Sequence, residues 1–337
     1  MKSVLAQLVD GVDLDESEMQ RAVGLIMDGQ ATPAQVGAFL AALHVKGETS
    51  VELTAAVRAM RERSLAIDAG GCLLDTCGTG GDGLGTFNIS TAVAFVAAAR
   101  GIRVAKHGNR AASGRVGAAD VLEALGVRID LPVEESRQAL ERFGFTFLFA
   151  PLYHPAVKHV ALARREVGFR TLFNLTGPLC NPAGATHQLV GLYSGEWLQP
   201  VAMTLRTLGA KRAMVVHGGD GSDEITTVSP TAVVELKDGR LETYSLDPLD
   251  FGVARASSAD LAGGDRDHNA DTIRRILGGE TGPAADIVAV NAAAAIYLAD
   301  QAETVAAGLG AARETLASGK ALELLDEFAA FTRGEGR

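Results

Sequence analysis

The residues best equipped for chemistry lie in three glycine-containing stretches. The first, "DTCGTGGDGLGTFNIST" over 75–91, contains Gly78-x-Gly80-x-x-Gly83, the spacing of a dinucleotide-binding loop. That use requires a strand, the glycines, an immediate helix and an acid about twenty residues on. A strand is expected at "LLD", but "LGTFN" delays the helix, and 97–105 ("AAARGIRVA") holds no carboxylate. Asp82 would also repel a pyrophosphate unless a cation lay between. The glycines therefore suit another phosphorylated ligand, reached through backbone N–H groups.

The stretch closes with Asn88, Ile89, Ser90 and Thr91 at an expected helix N-terminus, where free N–H groups and the dipole favour an anion. A plain serine N-cap accounts for the same residues. The second stretch, "KHGNR" over 106–110, follows an expected strand and offers two permanent cations, a histidine and an amide. It reads as a binding site for an anionic substrate or as a solvated basic turn. The third, "VVHGGDGSDE", ends in adjacent acids, Asp223 and Glu224. Paired oxygen ligands without histidine or thiol suit Mg²⁺; an exposed acidic turn is the alternative. All three stretches follow strands, and together they describe the chemistry of a magnesium-bound diphosphate ester meeting an anionic co-substrate.

These stretches need a scaffold. The first 65 or so residues read as helices, with start signals at Asp15/Glu18, Thr32-Pro33/Gln35 and Thr49/Glu52, each the pattern of a capping box. From Gly71 the texture alternates. Strands are expected at "CLLD", "IRVAKHG", "FTFLFA", "QLVGLYS", "RAMVVHG" and "AVVELKDGRLETYSL", with "VRID" as a further short segment. Helices are expected at "STAVAFVAAAR", "GAADVLEALG", "PVEESRQALERFG", "DTIRRILGG", "DIVAVNAAAAIYLADQ" and "GAARETLASGKALELLDEFAAF". More helix is expected near 154–183, returning to the first layer. The fold class is α/β: a small all-helical N-terminal domain over 1–69 and a larger domain over 70–337 with a mixed, mainly parallel sheet.

Composition narrows the classes. The 337 residues are 47% hydrophobic but only 5% aromatic, which suits close-packed helices on a parallel sheet. A net charge of −10 argues against a nucleic-acid partner, without excluding a local cationic pocket. Cys72, Cys77 and Cys180 are odd in number and lack zinc spacing; free thiols in a reducing cytosol are expected. The N-terminus does not read as a signal peptide and no segment is apolar enough to span a bilayer. A soluble, cytoplasmic protein without membrane contact is expected.

The ordered set "GTGGD", "NIST", "KHGNR", "ADVLEALG", "HPAVKH", "RREVGFRTLFNLTGPLCNPA" and "VHGGDGSDE" resembles the anthranilate phosphoribosyltransferase family over essentially the whole chain. The resemblance implies a cleft between the two domains, a homodimer formed through the helical one, and transfer of phosphoribose from 5-phosphoribosyl 1-diphosphate to anthranilate. It also implies site residues. Gly78, Gly81, Asp82, Thr86, Asn88, Ile89, Ser90 and Thr91 would line the diphosphate site, with Lys106, His107, Gly108, Asn109, Arg110, Ala111, Ala112, Ser113 and Gly114. Ser90, Asp223 and Glu224 would hold Mg²⁺, while Gly78, Asn109 and Arg164 would contact anthranilate. His107 would steer the amine or accept its proton, or be a satisfied strand-end histidine. Ala118 stands where the family places a serine near a phosphate, and Val116 replaces a small polar residue, so one side-chain contact to phosphate is open. A pyrimidine nucleoside phosphorylase and a non-catalytic nucleic-acid-binding relative are the rival readings; the first differs at "KHGNR", the second in its basic groove.

Overall fold

The computed structural model describes residues 1–111 and 116–335. Its first layer consists of α1 (Lys2–Val9), α2 (Glu16–Met27), α3 (Pro33–Lys46) and α4 (Ser50–Arg61). The start signals act as read: the side chains of Asp15, Thr32 and Thr49 accept from the backbone N–H groups of Glu18, Gln35 and Glu52, each in a reciprocal capping box. Caps of this kind contribute about 1 kcal/mol each. Glu52 does a second job. Fully buried, it accepts from the Leu14 N–H at 3.0 Å and pairs with Lys46 at 2.9 Å, so one carboxylate ties the approach to α2 to the α3–α4 turn.

The α/β part opens with β1 (Leu74–Gly78), α5 (Ile89–Ala99), β2 (Val104–Gly108), α6 (Ala118–Ala124), α7 (Val133–Phe143), β3 (Phe145–Phe149) and the single turn α8 (Ala150–Tyr153). Next, α9 (Lys158–Val167) and α10 (Leu172–Leu179) return to the helical layer, and their Val160, Ala163, Leu172 and Leu175 share an apolar core with Met19, Phe39 and Val57. The chain continues through β4 (His187–Gly191), α11 (Leu198–Thr207), β5 (Arg212–Gly218) and the hairpin β6 (Thr231–Lys237) and β7 (Arg240–Leu246). Four helices close it: α12 (Arg266–Leu277), α13 (Pro283–Leu298), α14 (Val305–Ala317) and α15 (Lys320–Thr332).

The seven strands form one sheet in the order β3-β2-β1-β4-β5-β6-β7. Pairings from β3 through β5 are parallel, and β6 and β7 are antiparallel. This is the mixed, mainly parallel α/β architecture expected. Its consequence for function is the reversal between β1 and β4. Connections leaving their carboxyl ends run to opposite sides, and such a switch point opens a crevice where ligands bind in open α/β sheets. Helix α13 is apolar all round and buried along most of its length, as a helix inside a core must be. At the other flank Phe95 stacks on Phe145 at 4.4 Å, and Phe328 meets Phe145 edge-on at 4.9 Å.

Four elements differ from the sequence reading. The strand at "CLLD" starts two residues later, at Leu74, and "VRID" forms no strand. The final helical stretch is two helices, because Gly319 takes φ +73° between α14 and α15, a conformation glycine enters freely. Helix α11 carried no recognised start signal, since it follows a 3₁₀ turn at Gly195–Trp197 rather than a side-chain cap. No helix among the described residues is long and apolar enough to cross a membrane.

Candidate active site

The switch-point crevice is built by close backbone approach. Gly78 and Gly191 end β1 and β4 as register partners, and the turn carrying Asp223 presses against both. A methyl group on Gly78 would lie 2.2 Å from Asp223 Oδ2, and one on Gly191 would lie 1.4 Å from the Asp223 carbonyl oxygen. Neither position tolerates a side chain with this turn in place. The Gly80 N–H then donates to Asp223 Oδ2 at 2.7 Å. Behind the turn, buried Asn291 of α13 holds Ile225 by both backbone groups, at 3.0 and 2.8 Å. The diacid is thus clamped from the loop side and from the core side.

Three distant stretches meet at Ser90. Its backbone N–H donates to Glu224 Oε1 at 3.2 Å, its hydroxyl accepts from Lys106 Nζ at 3.2 Å, and its carbonyl accepts from Thr76 Oγ1 at 3.0 Å. Lys106 is only 1% exposed and also donates to the Thr76 carbonyl at 2.5 Å. Burial pushes its pKa down, against the attraction of Asp75, Glu224 and Asp223. Burial likewise raises the carboxyls of Asp223 and Glu224, helped by the charges of Asp82 on the former and of Asp223 on the latter. Asp82 adds a buried Oδ2 that has no hydrogen-bond partner among the described residues, its Oδ1 being used by the Leu84 N–H at 3.1 Å. Three carboxylates, one orphaned oxygen and a single buried ammonium leave an excess of negative charge. Those oxygens fit a hard divalent cation such as Mg²⁺, which binds through one or two carboxylates and substrate phosphates. No group of three or more His, Cys, Asp or Glu among the described residues forms an all-protein metal cage.

Asn88 does not cap α5 with its side chain. Its Nδ2 donates to the Val116 carbonyl at 3.0 Å and its Oδ1 accepts from Asn269 Nδ2 at 3.1 Å, so it braces α5 against the loop after β2 and against α12. Ile89 is buried, as is Thr91, whose hydroxyl lacks a partner. Thr86 forms an isolated antiparallel bridge with Ala262.

His107 ends in a buried pocket. Its backbone N–H donates to Asp75 at 3.3 Å, and Asp75 also accepts from Asn181 Nδ2 at 2.8 Å. The ring Nδ1 lies 3.1 Å from the Gly177 carbonyl. A carbonyl only accepts, so Nδ1 carries the proton and Nε2, which has no partner among the described residues, presents a lone pair. Burial, then the neighbouring His154 ring at 5.1 Å, pushes the His107 pKa down to about 3, so the imidazole is neutral at pH 7.

The remaining predicted residues separate into two groups. Arg164, on α9, has its guanidinium 5.9 Å from the Phe173 ring and no carboxylate partner among the described residues; burial alone lowers its pKa. Arg110, in contrast, already has its anions: its fork engages Asp120 at 3.0 Å and Glu123 at 2.8 Å. Asp120 also accepts from the Ala111 and Gly117 N–H groups at 3.1 and 2.9 Å, folding the loop back on α6. Asn109 is exposed, its Oδ1 taken by the Arg110 N–H at 2.7 Å. Gly108 abuts Phe147 and Ala118, the first residue of α6, and Gly81 lends its carbonyl to Arg170. Ala112, Ser113 and Gly114 lie outside the described residues. Sequence reasoning missed Asp75, Asn181, Gly191, Asn269, Asn291, His154 and Arg170. Asp75, His154, Arg170 and Asn181 lie inside the motif stretches without a role assigned to them, and Gly191, a glycine closing a strand beside the switch point, also carried a signal that could have found it.

A two-part glycosyl transferase architecture is what this fold and crevice define. Residues 2–64 match the helical bundle domain of the glycosyl transferase family, and 70–322 match its a/b domain. The chain belongs to this family, and within it to the anthranilate phosphoribosyltransferases. The curated "Anthranilate phosphoribosyltransferase" of Acetivibrio thermocellus is 49% identical over 98% of this chain and 96% of its own. "Anthranilate phosphoribosyltransferase 2" of Streptomyces coelicolor is 53% identical over 94% and 95%. Among solved structures, the Thermus thermophilus enzyme superposes with TM-score 0.93 at 46% identity, covering 98% of this chain and 99% of that one. The Saccharomyces cerevisiae enzyme in complex with PRPP and Mg gives 0.90 at 27% identity, with 98% and 97% covered.

The neutral His107 has a measurable consequence. Its folded pKa lies below the unfolded value, so between about pH 6.5 and 3 the unfolded chain binds a proton that the folded one refuses. The stability it contributes is complete above pH 6.5 and is lost as pH falls. The stability margin of the wild type over His107→Gln should therefore shrink between pH 7 and pH 4, read as converging denaturant midpoints; a margin that stays constant across that range would contradict the assignment.

Proposed function

We propose that the chain transfers the phosphoribosyl group of 5-phosphoribosyl 1-diphosphate to the amine of anthranilate, giving N-(5-phosphoribosyl)anthranilate and diphosphate. The observation that carries this reading is the meeting of Lys106, Ser90 and Glu224 at the switch point, where a diphosphate needs both cations and N–H donors. The 1–69 and 70–337 segments serve as helical and α/β domains flanking the cleft. Gly78, Gly81, Thr86 and 88–91 line the donor site, with 106–111 and Ala118. At Ala118 a backbone N–H replaces the hydroxyl that a serine would have offered. Asp223, Glu224 and Ser90 hold Mg²⁺, with Asp82 close by; the ion supplies neutralisation of the charge that builds on the departing diphosphate.

In the reaction the C1–O bond to diphosphate breaks and the amine nitrogen forms the new C1–N bond from the opposite face. An aromatic amine beside a carboxylate is a weak nucleophile, so departure of the leaving group dominates activation. Lys106 and the glycine-loop N–H groups orient and stabilise that leaving group. Arg164 takes the anthranilate carboxylate, preferably through two parallel bonds, and Asn109 aligns the ring. The ammonium proton shed after C1–N bond formation passes to His107 Nε2, the free acceptor in the pocket, or to the substrate's own carboxylate. Positioning and electrostatics supply the rate without a covalent enzyme intermediate. The homologous identities favour this reading over a pyrimidine nucleoside phosphorylase or a nucleic-acid-binding relative. The helical layer is proposed as the homodimer face, since Val9, Val12 and Val45 stand exposed on it.

Mixing the protein with Mg²⁺, phosphoribosyl diphosphate and anthranilate should extinguish anthranilate fluorescence; persistence of the signal would overturn the reading. Arg164→Ala should raise the anthranilate KM about 10- to 100-fold, the loss of a charge-assisted contact, while the donor KM stays within about threefold. Equal losses for both substrates would remove its role. Asp223→Asn with Glu224→Gln should abolish Mg²⁺-dependent turnover, and normal rates in that variant would refute the metal assignment. A Val9→Asp/Val45→Asp variant should sediment as a monomer where the wild type sediments as a dimer; an unaltered dimer would place the interface elsewhere.

A further inference from the structure

A four-residue connection spans the cleft between α9 and α10, and two adjacent side chains on it reach in opposite directions. Phe169 stacks on His44 of α3, ring centroids 4.9 Å apart at 25°. Arg170 turns to the α/β side, where its guanidinium lies 4.0 Å over the Tyr193 ring and its Nη2 donates to the Gly81 carbonyl. Tyr193 is itself fixed, because its N–H donates to Thr79 Oγ1 at 3.0 Å. One guanidinium therefore joins the helical side, the exit of β4 and the middle of the glycine loop.

The position of that contact matters more than its number of bonds. Gly81, at φ +75°, sits between Gly80, whose N–H holds Asp223, and Asp82, whose free oxygen faces the same acid. The connection also joins the two helices that carry or orient the groups assigned to the acceptor. Helix α9, which carries Arg164, ends at Gly168 with φ +70°, and α10, which begins one residue after Thr171, supplies the Gly177 carbonyl that sets the His107 tautomer. Arg170 itself is exposed, so core packing does not require it. An arginine is suited to this place because its planar fork can stack and donate at once, which a lysine does less well.

We infer that Arg170 is a positioning residue: it tethers the glycine loop through the Gly81 carbonyl, holding that loop in its donor-binding shape and in register with the helix that carries Arg164. This rests on the transferase reading for its kinetic consequence, but the tether is measurable without turnover. In Arg170→Met, which keeps an apolar stem over Tyr193, the backbone amides of 79–85 should exchange with deuterium about tenfold faster in the substrate-free protein. The donor KM should rise about tenfold, the equivalent of one charged hydrogen bond, with kcat changed less than threefold and Tm unmoved. Arg170→Lys, which retains a donor and a charge, should recover most of both effects. Unchanged exchange at 79–85 would overturn the tether whatever the kinetics show. A fall in Tm with faster exchange throughout the chain would also overturn it, reducing Arg170 to a structural role. If exchange responds as described but the wild type leaves anthranilate fluorescence intact, the tether stands and the transferase reading alone fails.

Discussion

A buried ammonium is the constraint on which the site depends. Lys106 is almost wholly removed from solvent, and such a charge persists only where neighbouring groups compensate its lost hydration. Here the compensation is shared among Asp75 behind it, Glu224 and Asp223 across the crevice, and two oxygens in hydrogen-bonding range. That arrangement forces β1, β2, the start of α5 and the 218–225 turn into one place. The sheet topology permits it because β1 and β4 diverge at their carboxyl ends.

The same balance explains why the crevice suits a charged ligand and its metal together. With Asp82, Asp223 and Glu224 on one side of Ser90 and Lys106 on the other, the local charge is uneven until a divalent cation and a polyanion are both present. The raised carboxyl pKa values express first the burial of those acids and then their mutual repulsion. On the acceptor side the logic is reversed. Arg164 has no carboxylate partner among the described residues and His107 is a neutral acceptor, a pairing that under the proposed reaction would take a carboxylate beside a proton-bearing amine. Donor and acceptor halves differ in charge, and the 168–171 connection runs between them.

Much of the fold was legible in the chain because it depends on local signals. Capping boxes at Asp15, Thr32 and Thr49 fix helix starts within a few residues, and alternation of strand and helix fixes the class. Errors fell where local pattern and tertiary context disagree. Gly319 interrupts a helical periodicity that continues on both sides of it, and "VRID" has the composition of a strand but no neighbour to pair with. For the site, "GTGGD", "NIST", "KHGNR" and "SDE" stood out because glycine, hydroxyl and charge are dense there. Asp75, Asn181 and Asn291 are single polar residues whose purpose is visible only from their partners across the fold.

The sequence by itself determined the helical start, the α/β remainder, the three chemical stretches and, through their order, the family. Those properties reside in residue type and spacing, which short-range forces convert directly into turns, caps and periodic faces. Tertiary structure alone decided which donors remain free. It spent Arg110 on Asp120 and Glu123, left Arg164 without a counterion among the described residues, gave His107 its tautomer, and set Gly191 against the Asp223 carbonyl. The physical reason is that hydrogen-bond partners, burial and charge neighbours are properties of pairs brought together from distant parts of the chain.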